Sequence, residues 1–142
     1  MLKNIPDILS PELLKVLAEM GHGDEIVIGD CNFPAASMNA CCVRCNGHRA
    51  TDVVDAILEL FPLDTFVDAP VTLMEVQPGK LEGDPPIWKE FEALLDKHQP
   101  GTKMDKIDRF DFYERAKKAY ATVATSEKAL YACIILKKGV LI

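Results

Sequence analysis

Most of the features that would mark a function at first sight are missing from these 142 residues. No apolar run comes near the roughly 20 residues needed to span a bilayer. The opening Met1-Leu2-Lys3-Asn4-Ile5-Pro6-Asp7 has no apolar core of the kind a signal peptide carries, so the expected location is the cytoplasm. A basic excess is also missing. Lys and Arg number 16 against 22 Asp and Glu, a formal charge of −6, which argues against nucleic acid and anionic membranes as partners. The chain holds no glycine-rich phosphate loop, serine-nucleophile motif or dinucleotide fingerprint. Cysteines number five, so at least one is unpaired within the chain, and in a reducing compartment all five are expected as thiols. Cys41, Cys42, Cys45 and His48 superficially suggest zinc. A structural zinc site needs four ligands, commonly as two separated pairs, and here there is one cluster without a second pair. No metal is expected.

What is present is an ordinary globular balance, 49% hydrophobic and 27% charged, in a length suited to one domain spanning residues 1–142. Ser10 can cap a helix in which Pro11 fits the first position and Leu13, Leu14, Leu17 and Met20 recur at helical spacing. Gly21 and Gly23 stop it. Glu25 to Gly29 reads as a buried strand, and Val43 as part of a second. Thr51 is a candidate cap for a helix carrying Val54, Ile57, Leu58 and Phe61. Val71 to Val76 follows as a strand, Pro85-Pro86 introduces another helix, and Asp111 to Ala119 forms the last. Tyr120 to Ala124 and Leu130 to Leu136 are closing strands that could pair as an antiparallel hairpin. The alternation predicts a layered α/β/α domain with a mixed sheet.

Three constellations could carry chemistry. His22 lies between Gly21 and Gly23, just past a helix C-terminus whose dipole favours the imidazolium, and Asp30 follows at a strand end, a common ligand position in α/β proteins. Arg109, just ahead of the last helix, offers several fixed hydrogen-bond donors. Strand alternation would put Tyr131 and Cys133 on one face, where a phenol could relay a proton. Each has a plainer alternative: a helix stop with a capping histidine, a solvated charged helix face, and an ordinary strand tyrosine.

Taken together, Ser10-Pro11-Glu12-Leu13-Leu14, Met20-Gly21-His22-Gly23-Asp24-Glu25, Asp30, Asn32-Phe33-Pro34-Ala35, Arg109-Phe110, Phe112-Tyr113-Glu114-Arg115-Ala116 and Leu136-Lys137-Lys138-Gly139-Val140 resemble the RbsD/FucU family of sugar mutarotases. The similarity runs along nearly the whole chain in one register. The 112–116 stretch favours the fucose branch over the ribose pyranases. The resemblance implies interconversion of the α and β anomers of L-fucopyranose by acid/base-assisted ring opening, with no cofactor. It implies His22 as the proton-transfer residue and Tyr131 as a second proton carrier. Asp30, Arg109, Tyr131, Ala132 and Cys133 become the sugar contacts. Cys133 stands where the family has an asparagine. The resemblance also implies a ring-like homo-oligomer, often a decamer, with sites near subunit interfaces. The alternatives are pyranose/furanose exchange on D-ribose and a non-catalytic monosaccharide-binding protein.

Overall fold

The computed structural model describes all of residues 1–142. Helix α1 (Pro11–Glu19) begins as its sequence dictates, with Ser10 Oγ accepting the Leu13 amide at 3.2 Å and Pro11 in the first turn. The elements that follow are β1 (Glu25–Gly29), α2 (Ala35–Met38), β2 (Cys42–Cys45), α3 (Ala50–Leu58), β3 (Val71–Met74), α4 (Pro86–His98), β4 (Met104–Ile107), α5 (Arg109–Lys118), β5 (Ala121–Thr125) and β6 (Ile134–Lys137). No helix is long and apolar enough to cross a membrane.

The six strands form one sheet in the order β2-β5-β1-β6-β3-β4. β1 and β2 run parallel to β5, and β3 runs parallel to β4. Only β6 is reversed, antiparallel to both β1 and β3. The sheet is therefore mixed, as expected, but not through a closing hairpin. β1 lies between β5 and β6, because Ile26, Val27 and Ile28 are apolar toward both faces and belong at the centre of a sheet. Residues 126–133 must cross the end of β1 to reach β6.

Side-chain alternation divides the core into two layers. Ile26, Ile28, Val71, Leu73, Ala121, Val123, Ile134 and Leu136 face one side, where α1, α3 and α4 cover them. Val27, Met74, Ala124 and Ile135 face the other, against Phe33, Ala35, Phe112 and Ala116 of the α2 and α5 layer. The layered α/β/α arrangement expected from the sequence is thus the one observed.

Several boundaries differ from expectation. Thr51 lies inside α3 and is buried, and Arg49 occupies the cap position without a side-chain cap bond. β3 stops at Met74, and β6 starts only at Ile134, which leaves Leu130 to Cys133 in a loop. α5 opens two residues earlier than Asp111, because Asp108 Oδ1 accepts the amides of Phe110 and Asp111 at 2.8 and 3.1 Å. α2 and β4 have no clear sequence signal: the first is a single turn, and the second is a half-exposed edge strand of Met-Asp-Lys-Ile.

Gly29 ends β1 where the backbone passes directly beneath Phe33. A Cβ built there would run into the Phe33 ring. Gly29→Ala is expected to cost about 1–3 kcal/mol through overpacking, measured as a fall in Tm of several degrees. An unchanged Tm would show that Phe33 has room to retreat.

Candidate functional site

Because β1, β3 and β4 run parallel and β6 runs against them, three carboxyl ends and one amino end meet at a single edge of the sheet. That is where open α/β sheets place their ligands. Asp30 leaves β1 there, Arg109 opens α5 directly after β4, and Tyr131 and Cys133 precede β6. These residues, with Phe33, Met74 and Tyr113, line a cavity of about 330 Å³. That is the size of a small-ligand pocket.

Asp30 is buried, 7% exposed. Its Oδ1 accepts the Asn32 amide at 2.9 Å, and its Oδ2 accepts the Cys133 thiol at 3.5 Å. A carboxylate has about four acceptor positions, so a ligand hydroxyl can still be received. Burial, reinforced by the Asp30 charge, pushes the Cys133 thiol well above its ordinary range. Cys133 is therefore a neutral, weak donor.

Tyr131 does not sit on a strand, so the alternation argument for its direction fails. Its backbone is left-handed, with φ at 57°, a conformation that costs a residue with a Cβ roughly 1–2 kcal/mol. The Trp88 indole on α4 donates to the Tyr131 carbonyl at 3.0 Å and helps hold that conformation. The Tyr131 hydroxyl accepts the Gln77 amide at 3.2 Å, which leaves its own proton available to donate. Ala132 is fully buried in the larger core layer, and its side chain is not among those lining the cavity.

Arg109 is the first residue of α5, not a residue ahead of it. Its Nε donates to the Tyr113 hydroxyl at 3.2 Å, and the guanidinium lies 5.3 Å from the centre of that ring. The terminal nitrogens remain free for a ligand. Phe33 meets Phe112 and Tyr113 edge-on at 5.9 and 5.8 Å, forming an apolar wall behind the polar groups.

His22 is not among these residues. It precedes β1, whereas Asp30 follows it, so the length of a five-residue strand separates them, about 16 Å. At that far edge His22 Nε2 lies 3.2 Å from Asp64 Oδ1, and the ring stands edge-on to Phe66 at 5.2 Å. The Asp64 side chain is 4% exposed and that of His22 43%. The Phe66 amide first, and His22 second, hold the Asp64 carboxyl below the usual carboxylate range. The α1 C-terminus is served by another cation: Lys138 Nζ donates to the carbonyls of Leu17 and Met20, both at 2.6 Å. Asp64 lies 42 residues from His22 and carried no sequence signal. Phe33 and Tyr113 belonged to the segments that carried the family resemblance, but nothing in their spacing pointed to a cavity.

The cysteine run does not converge, since Cys45 is buried in the larger core layer while His48 is exposed. The group that does converge is Asp55, Glu59 and His98. Lys97 Nζ already sits 2.8 Å from Asp55 and 4.0 Å from Glu59, and so supplies the cation that pair would attract.

The model of the RbsD / FucU transport protein family matches residues 3–141. The chain belongs to this family. Human fucose mutarotase is 50% identical over 145 residues, covering 99% of this chain and 94% of the human one. The L-fucose mutarotase of Actinobacillus pleuropneumoniae serotype 5b (strain L20) is 46% identical over 141 residues, 99% and 97% of the two chains. Among solved structures, the fucose mutarotase of Streptococcus pneumoniae in complex with L-fucose superposes with a TM-score of 0.93 at 49% identity, covering 99% of this chain and 100% of that one. Bacillus subtilis RbsD complexed with D-ribose, at 23% identity and a TM-score of 0.74 over the full length of both chains, shares the fold.

The five thiols of this RbsD / FucU member differ sharply in setting. Cys31 is exposed, whereas Cys133 is buried and held protonated. A maleimide at pH 8 is expected to label Cys31 within minutes and leave Cys133 unmodified until the protein unfolds, as read by peptide mass mapping. Early labelling of Cys133 would show that the cavity wall opens.

Proposed function

We propose that this chain, 1–142 working as one domain, is an L-fucose mutarotase. The observation that carries the reading is the convergence of Asp30, Arg109 and Tyr131 on one monosaccharide-sized cavity. The match across almost the full length of relatives that act on L-fucose supports it.

Exchanging anomers requires a base to take the proton of the anomeric hydroxyl and an acid to protonate the ring oxygen. The C1–O5 bond then breaks to give the open aldehyde, the C1–C2 bond rotates, and closure on the other face of the carbonyl reverses both proton transfers. Asp30 accepts a sugar hydroxyl, Arg109 donates to hydroxyl oxygens, and the apolar wall at Phe33 packs against the C–H face of the ring. Together they hold the reacting carbon in place. Tyr131 carries one proton. No covalent intermediate and no cofactor enters the scheme.

The other proton carrier is His22, and the geometry of one chain cannot bring it to the cavity. We therefore assign it to a neighbouring copy. A half-exposed imidazole backed by a buried carboxylate is oriented for proton transfer and open to a partner. Exposed apolar residues border both edges. Phe66, 70% exposed, stands beside His22, and the tail at Leu141 and Ile142 leaves the same edge. Leu130 lines the cavity, and Phe110 follows the cavity residue Arg109. Two different patches that complement each other make a head-to-tail contact, which closes into a ring when the rotation allows. A ring-like homo-oligomer, a decamer in the family's usual form, follows from this reading. Five free thiols suit a cytoplasmic setting.

Saturation-transfer NMR between the α and β anomeric protons of L-fucose is the direct test. Protein-dependent exchange is expected, and His22→Ala should lower it by about a hundredfold or more without a change in fold. Acceleration of D-ribose exchange with L-fucose untouched would transfer the reading to ribose. Binding without any acceleration would make the protein a sugar binder.

Sharing of the site has its own signature. His22→Ala and Tyr131→Phe are each expected to be nearly inactive as homo-oligomers. Subunits mixed after dissociation should regain activity, since about one quarter of randomly formed head-to-tail contacts join two intact halves. Mixtures no more active than their parents would overturn the assignment of His22 to a neighbouring copy.

A further inference from the structure

Residue Glu127 takes no part in the scheme above, yet it is a buried acid, 5% exposed, in the loop that crosses the end of β1. Its backbone groups and one carboxylate oxygen are hydrogen-bonded, and these bonds point in two directions. Toward Asp30, the Glu127 carbonyl accepts the Cys31 amide at 2.8 Å. Its own amide donates to Thr125 Oγ1 at 3.2 Å, and that hydroxyl donates to the Gly29 carbonyl at 2.7 Å. Glu127 is thereby tied to the residues on both sides of Asp30. Toward Tyr131, its Oε1 accepts the Ala129 amide at 3.0 Å.

The remaining oxygen, Oε2, is buried and has no aligned hydrogen bond. Its partner is the Arg49 guanidinium, with Nε at 3.2 Å in an ion pair. Arg49 is gripped in turn by Glu90 of α4, its two terminal nitrogens lying 3.3 and 3.0 Å from the carboxylate oxygens. The same helix supplies Trp88, whose indole holds the Tyr131 carbonyl. The loop carrying Tyr131 is thus anchored to α4 at two points, one of them passing through Arg49 and Glu127.

We infer that Glu127, clamped by Arg49, is a positioning residue that sets Tyr131 against Asp30 across the cavity. The inference rests on the reading of that cavity as the sugar site. A buried carboxylate with one half-exposed counter-ion is a costly way to close a loop. A neutral amide cannot replace it. Gln at 127 would turn its NH2 toward either the Ala129 amide or the Arg49 guanidinium, setting donor against donor. The left-handed Tyr131 would then be held from one side only, and misplacements of about 1 Å near a reacting group are costly in rate.

The test is Glu127→Gln in the full-length protein, with Arg49→Lys as a milder second variant that keeps the charge and loses the fork. In Glu127→Gln, kcat for L-fucose anomer exchange is expected to fall about tenfold to a hundredfold, with KM moving by less than about threefold. Introduced into Tyr131→Phe, the same substitution should cost no more than about twofold further, because residues acting through one group are not additive. Fully multiplicative losses, or unchanged kcat in both folded variants, would overturn the inference. If Glu127→Gln does not fold, Arg49→Lys carries the same comparison.

Amide hydrogen exchange gives a readout independent of turnover. Protection at Cys31 and Ala129 should fall while Val27 and Val123 stay as in the wild type. Intact protection at Cys31 and Ala129 would refute the clamp. A wild-type protein that exchanges no sugar anomers would sink the mutarotase reading, and the amide protection would still decide whether Glu127 holds the loop.

Discussion

One reversed strand organises this molecule. β6 runs against its neighbours in the middle of an otherwise parallel sheet, and Ile134, Ile135 and Leu136 are completely buried. Its amino end meets the carboxyl ends of β1 and β3, which brings Tyr131 and Cys133 to Asp30. Its carboxyl end meets the start of β1, where Gly23 donates to the Lys138 carbonyl and Asp64 to the Lys137 carbonyl. Both chemically equipped edges are thus ends of the same two paired strands. Register between them is strictly held, because a one-residue slip would exchange the two core layers.

Around that pair, buried and half-buried polar groups position what the hydrophobic layers alone would leave adjustable. Arg115 near the end of α5 bonds both oxygens of Glu25, at 2.7 and 3.3 Å, and donates to the Thr72 hydroxyl at 2.9 Å. Thr72 in turn donates to Asp105. This fixes the depth and rotation of α5 against the sheet. Arg109, six residues earlier and so about 9 Å along the helix, is thereby set at the cavity. Apolar packing is tolerant of small rotations, whereas a bidentate ion pair is not. The Glu127–Arg49 clamp has the same logic on the opposite side of the cavity. In both cases a charged pair outside the cavity lining settles where a cavity-lining side chain points.

Much of this was legible from local pattern. Ser10-Pro11 announced α1, Ile26-Val27-Ile28 announced a buried strand, and Pro85-Pro86 announced α4, since capping, continuous apolarity and fixed φ are properties of a few adjacent residues. β4 was not legible because an edge strand is half solvated and shows no alternation. The hairpin expectation for β5 and β6 failed for a related reason. Two strands in succession look like a hairpin, and only the demand of β1 for burial on both faces separates them. Tyr131 was placed correctly beside Cys133 by an argument that does not apply, since its direction comes from a left-handed backbone and the Trp88 indole.

The sequence by itself determined the layered α/β class, the family and the residue types available for acid/base work, because these follow from short-range periodicity and from similarity in one register. Tertiary structure decided which of those residues meet. His22 and Asp30, eight positions apart, are held at opposite ends of a rigid strand, while Asp30 and Cys133, 103 positions apart, are in contact. An extended strand converts sequence proximity into distance, and strand pairing converts sequence distance into contact. The composition of a site therefore belongs to the sheet order, and here the order separates the histidine from the cavity within one chain.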